Sequence, residues 1–133
     1  MATSDIALIN YAKKNVAIWN INSFAEFYMQ IFGKYENDYK KACGKFLEER
    51  NRFYKALQEI DFLRVIPSQA NYFLCEVTDL YTSTELTKRL LEKNILIKDC
   101  STKKAFNGKN YIRIAIRNKN DNDQIIHLLK ILL

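Results

Sequence analysis

The sequence predicts an α+β fold: a long N-terminal linker helix, then β-β-α-β-β-α, with a mostly antiparallel sheet that carries both short helices on one face. Three observations predict it. Apolar residues recur at spacings of three, four or seven from Phe24 to Leu57, which is the period of one helix face. Four short runs rich in β-branched and aromatic residues follow in two pairs: "FLRVI" with "NYFLCEV", and "ILIK" with "YIRIAI". After each pair comes a polar helix start and an apolar stripe.

A short helix is expected from Asp5 to Lys14, then an apolar connector, "VAIWNIN". Ser23 and Glu26 have the spacing of a capping box and open the long helix. Its stripe runs through Phe24, Tyr28, Ile31, Tyr35, Tyr39, Ala42, Phe46, Phe53 and Leu57. At 1.5 Å per residue such a helix is about 50 Å long. That is too long for a small domain unless it kinks near Gly33 or Gly44, and it buries its stripe best against another body of protein.

Beyond it, the turn "PSQA" joins the first two strands into a hairpin. Thr82 and Glu85 form a second capping box, before a helix with Leu86, Leu90 and Leu91 on one side. The next two strands flank the polar loop "DCSTKKAFNGKN", with a turn at Asn107-Gly108. The last helix is started by Asn120 or Asp121 and carries Ile125, Ile126, Leu129 and Leu132 inward.

Composition limits the function classes. With 48% hydrophobic residues, three glycines and one proline, the 133-residue chain has enough apolar material for a core and few flexible linkers. Neither a membrane span nor a signal-type apolar segment is expected, so the chain reads as cytoplasmic. Cys43, Cys75, Cys100 and the single His127 do not suggest a disulfide framework or a zinc site. The net charge of +6 is concentrated between Lys98 and Lys119, where Lys103, Lys104, Lys109, Arg113 and Arg117 face one acid, Asp99. Such a run is either a solvated edge or a site for phosphate, carboxylate or nucleic acid.

Alternation along "YIRIAI" separates its two chemistries. Ile112, Ile114 and Ile116 share the face that meets the helices; Tyr111, Arg113, Ala115 and Arg117 share the other. Arg113 therefore either pairs with a carboxylate such as Glu76 on a neighbouring strand, or presents its planar fork to an external carboxylate or phosphate. An RNA-recognition sheet would need a glycine-aromatic stacking pattern that "GKNYIRIAI" lacks. A stand-alone ferredoxin-like interaction domain is the other alternative.

"PSQANYFLCEV", "NILIKDCS" and "FNGKNYIRIAIRNKNDNDQIIHLL", with "WNINSFAEF" upstream, resemble the C-terminal part of a class I/II aminotransferase dependent on pyridoxal phosphate. The likeness is to the histidinol-phosphate aminotransferase and threonine-phosphate decarboxylase branch. It implies residues 1–22 as a remnant of the large domain and connector, and residues 23–133 as the small domain with its long interdomain helix. It also implies that Arg113 binds the substrate α-carboxylate. Lys98 stands where the branch carries a phosphate-contacting arginine; it is either a phosphate contact or a surface lysine at a strand end. Asn71 matches a position near the cleft and equally suits the close of a turn, whereas Asn22 reads as a helix-opening residue.

Transamination needs a lysine joined to the cofactor and an acid facing its pyridine nitrogen. In the family both belong to the large domain, and no lysine here stands in the corresponding context. The resemblance thus implies a C-terminal portion that binds no pyridoxal phosphate and is inactive alone. Its expected partners are the missing large domain and, in the intact enzyme, an amino-acid substrate and a second subunit. No nucleic acid or membrane is expected. Without the large domain, Trp19, Phe24 and Phe27 would form an apolar patch that promotes self-association.

Overall fold

The computed structural model describes residues 4–15 and 21–132, which fall in two compact units, Met1–Lys41 and Ala42–Leu133. Trp19 and most of the apolar connector lie outside the described residues. The first unit contains α1 (Ile6–Asn15) and the start of α2 (Ser23–Gln58). Asp5 Oδ1 caps α1 by accepting from the N–H groups of Ala7 at 2.9 Å and Leu8 at 3.1 Å. Asn22, not Ser23, caps α2: its Oδ1 accepts from the Ala25 N–H at 2.9 Å and its carbonyl from the Glu26 N–H at 3.1 Å. Asparagine is as good a cap as serine and stands one residue earlier, so the Ser23–Glu26 box does not form.

Neither Gly33 nor Gly44 interrupts the 36-residue α2. Its stripe divides into two environments. Phe24, Tyr28, Tyr35 and Tyr39 are exposed, Phe24 at 85%, while Phe53 and Leu57 are fully buried and Phe46 packs against the core. Within the first unit, Phe32 contacts the rings of Tyr28 and Tyr39 at 5.7 and 5.6 Å.

The second unit holds a four-stranded antiparallel sheet in the order β1-β2-β4-β3. β1 (Leu63–Ile66) and β2 (Tyr72–Val77) form the expected hairpin, in register from Leu63↔Val77 to Ile66↔Leu74. The buried Arg50 guanidinium fixes its turn, donating to the Gln69 carbonyl at 2.8 Å and to Gln69 Oε1 at 2.7 Å. α3 (Ser83–Glu92) starts with the Thr82–Glu85 capping box, both of its reciprocal bonds present.

The third strand departs from expectation. Only Lys98–Asp99 pairs as β3, not "ILIK". Asn94 turns the end of α3 with a left-handed φ of 61°, and the Ile95 N–H still donates back to the Leu90 carbonyl at 2.9 Å. The chain is thus occupied with terminating the helix, and Ile97 drops into the core before the ladder begins.

β4 (Tyr111–Ala115) lies between β2 and β3, and α4 (Lys119–Ile131) follows. Its cap is Asn118, whose Oδ1 accepts from the Asp121 N–H at 3.0 Å, two residues before the expected start at Asn120. Ile125 and Leu129 are buried in the core, Ile126 and Leu132 pack against it, and His127 is on the exposed side.

One core unites the inner sheet face (Phe73, Cys75, Val77, Ile112, Ile114) with Phe53 and Leu57 of α2, Leu86 and Leu90 of α3, and Ile125 and Leu129 of α4. Burying each large apolar side chain contributes about 1.5–3 kcal/mol. All three helices therefore cover one face, and the outer face stays open. Among the described residues, no helix is long and apolar enough to cross a membrane, and no group of three His, Cys, Asp or Glu could hold a metal ion.

Candidate functional site

The open sheet face carries the sequence-predicted cations. Ile112 and Ile114 are 0% and 1% exposed beneath the helices, whereas Arg113 and Ala115 are exposed on the opposite side. Tyr111 shares the Arg113 side but is covered by the Phe106 ring, with centroids 4.5 Å apart.

Register then joins two residues that the sequence offered separately. Arg113 lies opposite Leu74 on β2 and opposite Lys98 on β3. The Cβ atoms of directly opposed residues are about 4.5–5.5 Å apart, so these two cationic side chains leave the sheet as neighbours. Among the described residues neither side chain has a hydrogen bond or ion pair. The Arg113 guanidinium lies over the Tyr72 ring, its Cζ 5.0 Å from the centroid.

The alternative partner, Glu76, is engaged elsewhere. Its register partners are Arg64 on β1 and Tyr111 on β4, not Arg113. Arg64 Nε donates to Glu76 Oε2 at 2.7 Å, and Lys109 Nζ is 3.5 Å from Oε1. The Arg64 hydrogen bond holds the Glu76 carboxyl below the usual carboxylate range, and Lys109 adds to the effect. The Arg113–Glu76 pairing is therefore not formed.

Asn71 does not join the cationic pair. Its carbonyl accepts from the Ile116 N–H at 2.9 Å and extends the β2–β4 pairing, while its side chain is exposed at the sheet end. Asn22 is a cap, as its sequence context implied.

Sequence reasoning missed Tyr72 and Asp99. Tyr72 has the same strand parity as Leu74, but only the register, Tyr72↔Ala115, reveals that it reaches Arg113 diagonally. Asp99 ties β3 to α3 by accepting from Thr84 Oγ1 at 2.7 Å, the Ser101 N–H at 2.9 Å and Ser101 Oγ at 3.0 Å. Burial pushes the Asp99 carboxyl up, but those hydrogen bonds outweigh it and hold the group below its ordinary value. Its position beside a lysine in "IKDCS" gave a charge signal, not a contact.

Every described lysine is exposed. A lysine that carries a cofactor must stand beside groups that enclose the ring and its phosphate, and the described residues do not fit that requirement. Arg113 and Lys98 stand side by side on an open, cationic sheet face of an α+β domain.

The family profile for class I and II aminotransferases matches residues 2–131. The chain belongs to this pyridoxal-phosphate-dependent family. A CMP-5'-(3-aminopropyl)phosphonate synthase from Streptomyces rubellomurinus is 27% identical over 94% of this chain and 20% of its own length. The threonine-phosphate decarboxylase of Salmonella typhimurium is 30% identical over 98% of this chain and 35% of its own. Among solved structures, a histidinol-phosphate aminotransferase from Clostridium acetobutylicum superposes with a TM-score of 0.81 at 27% identity, over 98% of this chain and 39% of that one. The chain thus spans no more than about a third of the curated relatives' length.

Proposed function

We propose that this chain supplies the substrate-anion face of a pyridoxal-phosphate-dependent enzyme acting on an amino acid that also bears a phosphoryl group. The observation that carries this reading is the direct opposition of Lys98 and Arg113 without an acid to neutralise them. Like charges directly across a ladder destabilise it. Two anionic groups of one ligand would remove that cost. Arg113 offers a fork for the planar α-carboxylate, and Lys98 a compact, strongly hydrated charge for a phosphoryl group. All three relatives carry phosphate or phosphonate in their names, which supports a phosphorus oxyanion as the second group.

In this reading Arg113 binds and orients the substrate and moves no proton. Orientation is itself catalytic when a scissile bond must be aligned with a cofactor ring. The ring and its lysine come from the cofactor-binding domain, the proposed partner of this chain.

The test is made in an enzyme that contains both parts. Arg113→Ala is expected to lower kcat/KM for every amino-acid substrate by about a hundredfold, as the loss of a charged, bidentate contact implies. Lys98→Ala is expected to act only on phosphorylated substrates. Unchanged turnover at low substrate in R113A refutes the assignment. The exposed Phe24, Phe27 and Tyr28 of α2 further support association of this chain, with a homodimer expected for the whole enzyme. Sedimentation of the chain as a clean monomer at high concentration counts against its self-association.

A further inference from the structure

We infer that Tyr72 is a positioning residue that holds the Arg113 guanidinium flat, an inference resting on the carboxylate role proposed for Arg113. Arg113 has a long side chain and, among the described residues, no hydrogen bond or ion pair to fix it. What it has is the ring of Tyr72, 5.0 Å from its Cζ. That lies within the range at which a guanidinium is drawn to an aromatic face.

The register explains how the contact arises. Tyr72 is directly opposite Ala115, whose methyl side chain leaves space above the sheet. The ring can therefore lie diagonally toward Arg113, two residues along β4, a reach that aromatic side chains have. Lys98 stands on the other flank of Arg113. Repulsion from the ammonium and attraction to the ring act in the same direction and draw the guanidinium toward β2.

A stacked guanidinium uses its face, and its in-plane N–H groups remain available. Carboxylate recognition uses those edges. Ring and carboxylate thus bind different parts of one cation, and the ring reduces the rotamer freedom that a ligand would otherwise have to freeze. Two further features favour the ring over the hydroxyl. Tyr72 is 36% exposed, and its hydroxyl has no hydrogen bond among the described residues. The turn before it is also held, through the Arg50 bonds to Gln69, so the ring is presented from a fixed strand start.

The experiment compares Tyr72→Phe, which keeps the aromatic face, with Tyr72→Leu, which keeps apolar bulk but removes it. In the 133-residue chain, NMR of the Arg113 Nε–H and Cδ protons reads the contact without any cofactor. Wild type and Y72F are expected to show a restricted Nε–H vector and upfield, ring-shifted Cδ protons; Y72L is expected to lose both. In the enzyme that contains the cofactor-binding domain, Y72L should raise KM for the amino acid about two- to fivefold, with kcat changed less than twofold and Y72F close to wild type. Wild-type Arg113 order in Y72L, or equal losses in Y72F and Y72L, overturns the inference. Arg113→Ala separates it from the reading beneath: if R113A leaves kcat/KM unchanged, the carboxylate role fails while the NMR comparison still decides whether Tyr72 holds Arg113.

Discussion

Replacing Asp99 by alanine would test how the fold supports the cationic pair, because Asp99 adjoins Lys98 in the two-residue strand β3. Its carboxylate accepts from Thr84 Oγ1 at 2.7 Å, the Ser101 N–H at 2.9 Å and Ser101 Oγ at 3.0 Å. A hydrogen bond to a charged group contributes about 1.5–3 kcal/mol when water is excluded. Water reaches both hydroxyl partners here, so the three together contribute about 2 kcal/mol rather than their sum. β3 meets β4 only at Lys98↔Arg113 and Asp99↔Ile112. The loss should therefore appear as local opening rather than global unfolding. The Cys100 N–H, which donates to the Tyr111 carbonyl at 2.9 Å, should lose about thirtyfold in hydrogen-exchange protection at pH 7 in D99A. The Ile116 N–H, bonded to the Asn71 carbonyl at 2.9 Å, should change by less than about threefold. The pH dependence has a definite sign. The folded carboxyl ionises below its ordinary value, so its contribution is complete above the unfolded value of about 3.9 and is lost as the pH falls through the folded one. Equal Cys100 protection in the two proteins at pH 7 refutes the reasoning, as does a difference that stays undiminished through that acid range.

Asn122 is 1% exposed, donates to Glu49 Oε1 at 2.7 Å and to the Arg117 carbonyl at 3.0 Å, and accepts from the Arg117 N–H at 3.0 Å. Asn122→Ala leaves all three groups without this partner and should cost about 2–4 kcal/mol by urea unfolding; a loss under about 1 kcal/mol would contradict it. Pyridoxal phosphate added to this chain alone should give no one-to-one visible band of lysine-bound cofactor, since every described lysine is exposed. A stoichiometric band abolished by replacing one lysine would show otherwise.

What the sequence revealed was local, and what it concealed was register. The Thr82–Glu85 box was legible because both of its bonds lie within one turn. The faces of "YIRIAI" were legible because alternation needs only the strand itself. Arg113 could thus be assigned to the open face without knowing its neighbours. Its neighbours depend on where β3 begins, and that depends on how the chain leaves α3 at Asn94, a left-handed asparagine with no sequence marker as clear as glycine. A shift of two residues would set Leu96 or Cys100 opposite Arg113 in place of Lys98 and abolish the pair, whereas a shift of one would turn the β3 side chains to the wrong face. The same dependence misdirected the Glu76 pairing. Glu76 and Arg113 do share the outer face, yet the ladder sets Glu76 between Arg64 and Tyr111. That placement neutralises Arg64 and leaves Arg113 to the Tyr72 ring. Glu76, on the same face as Arg113, is held by its register on Arg64 and leaves Arg113 available.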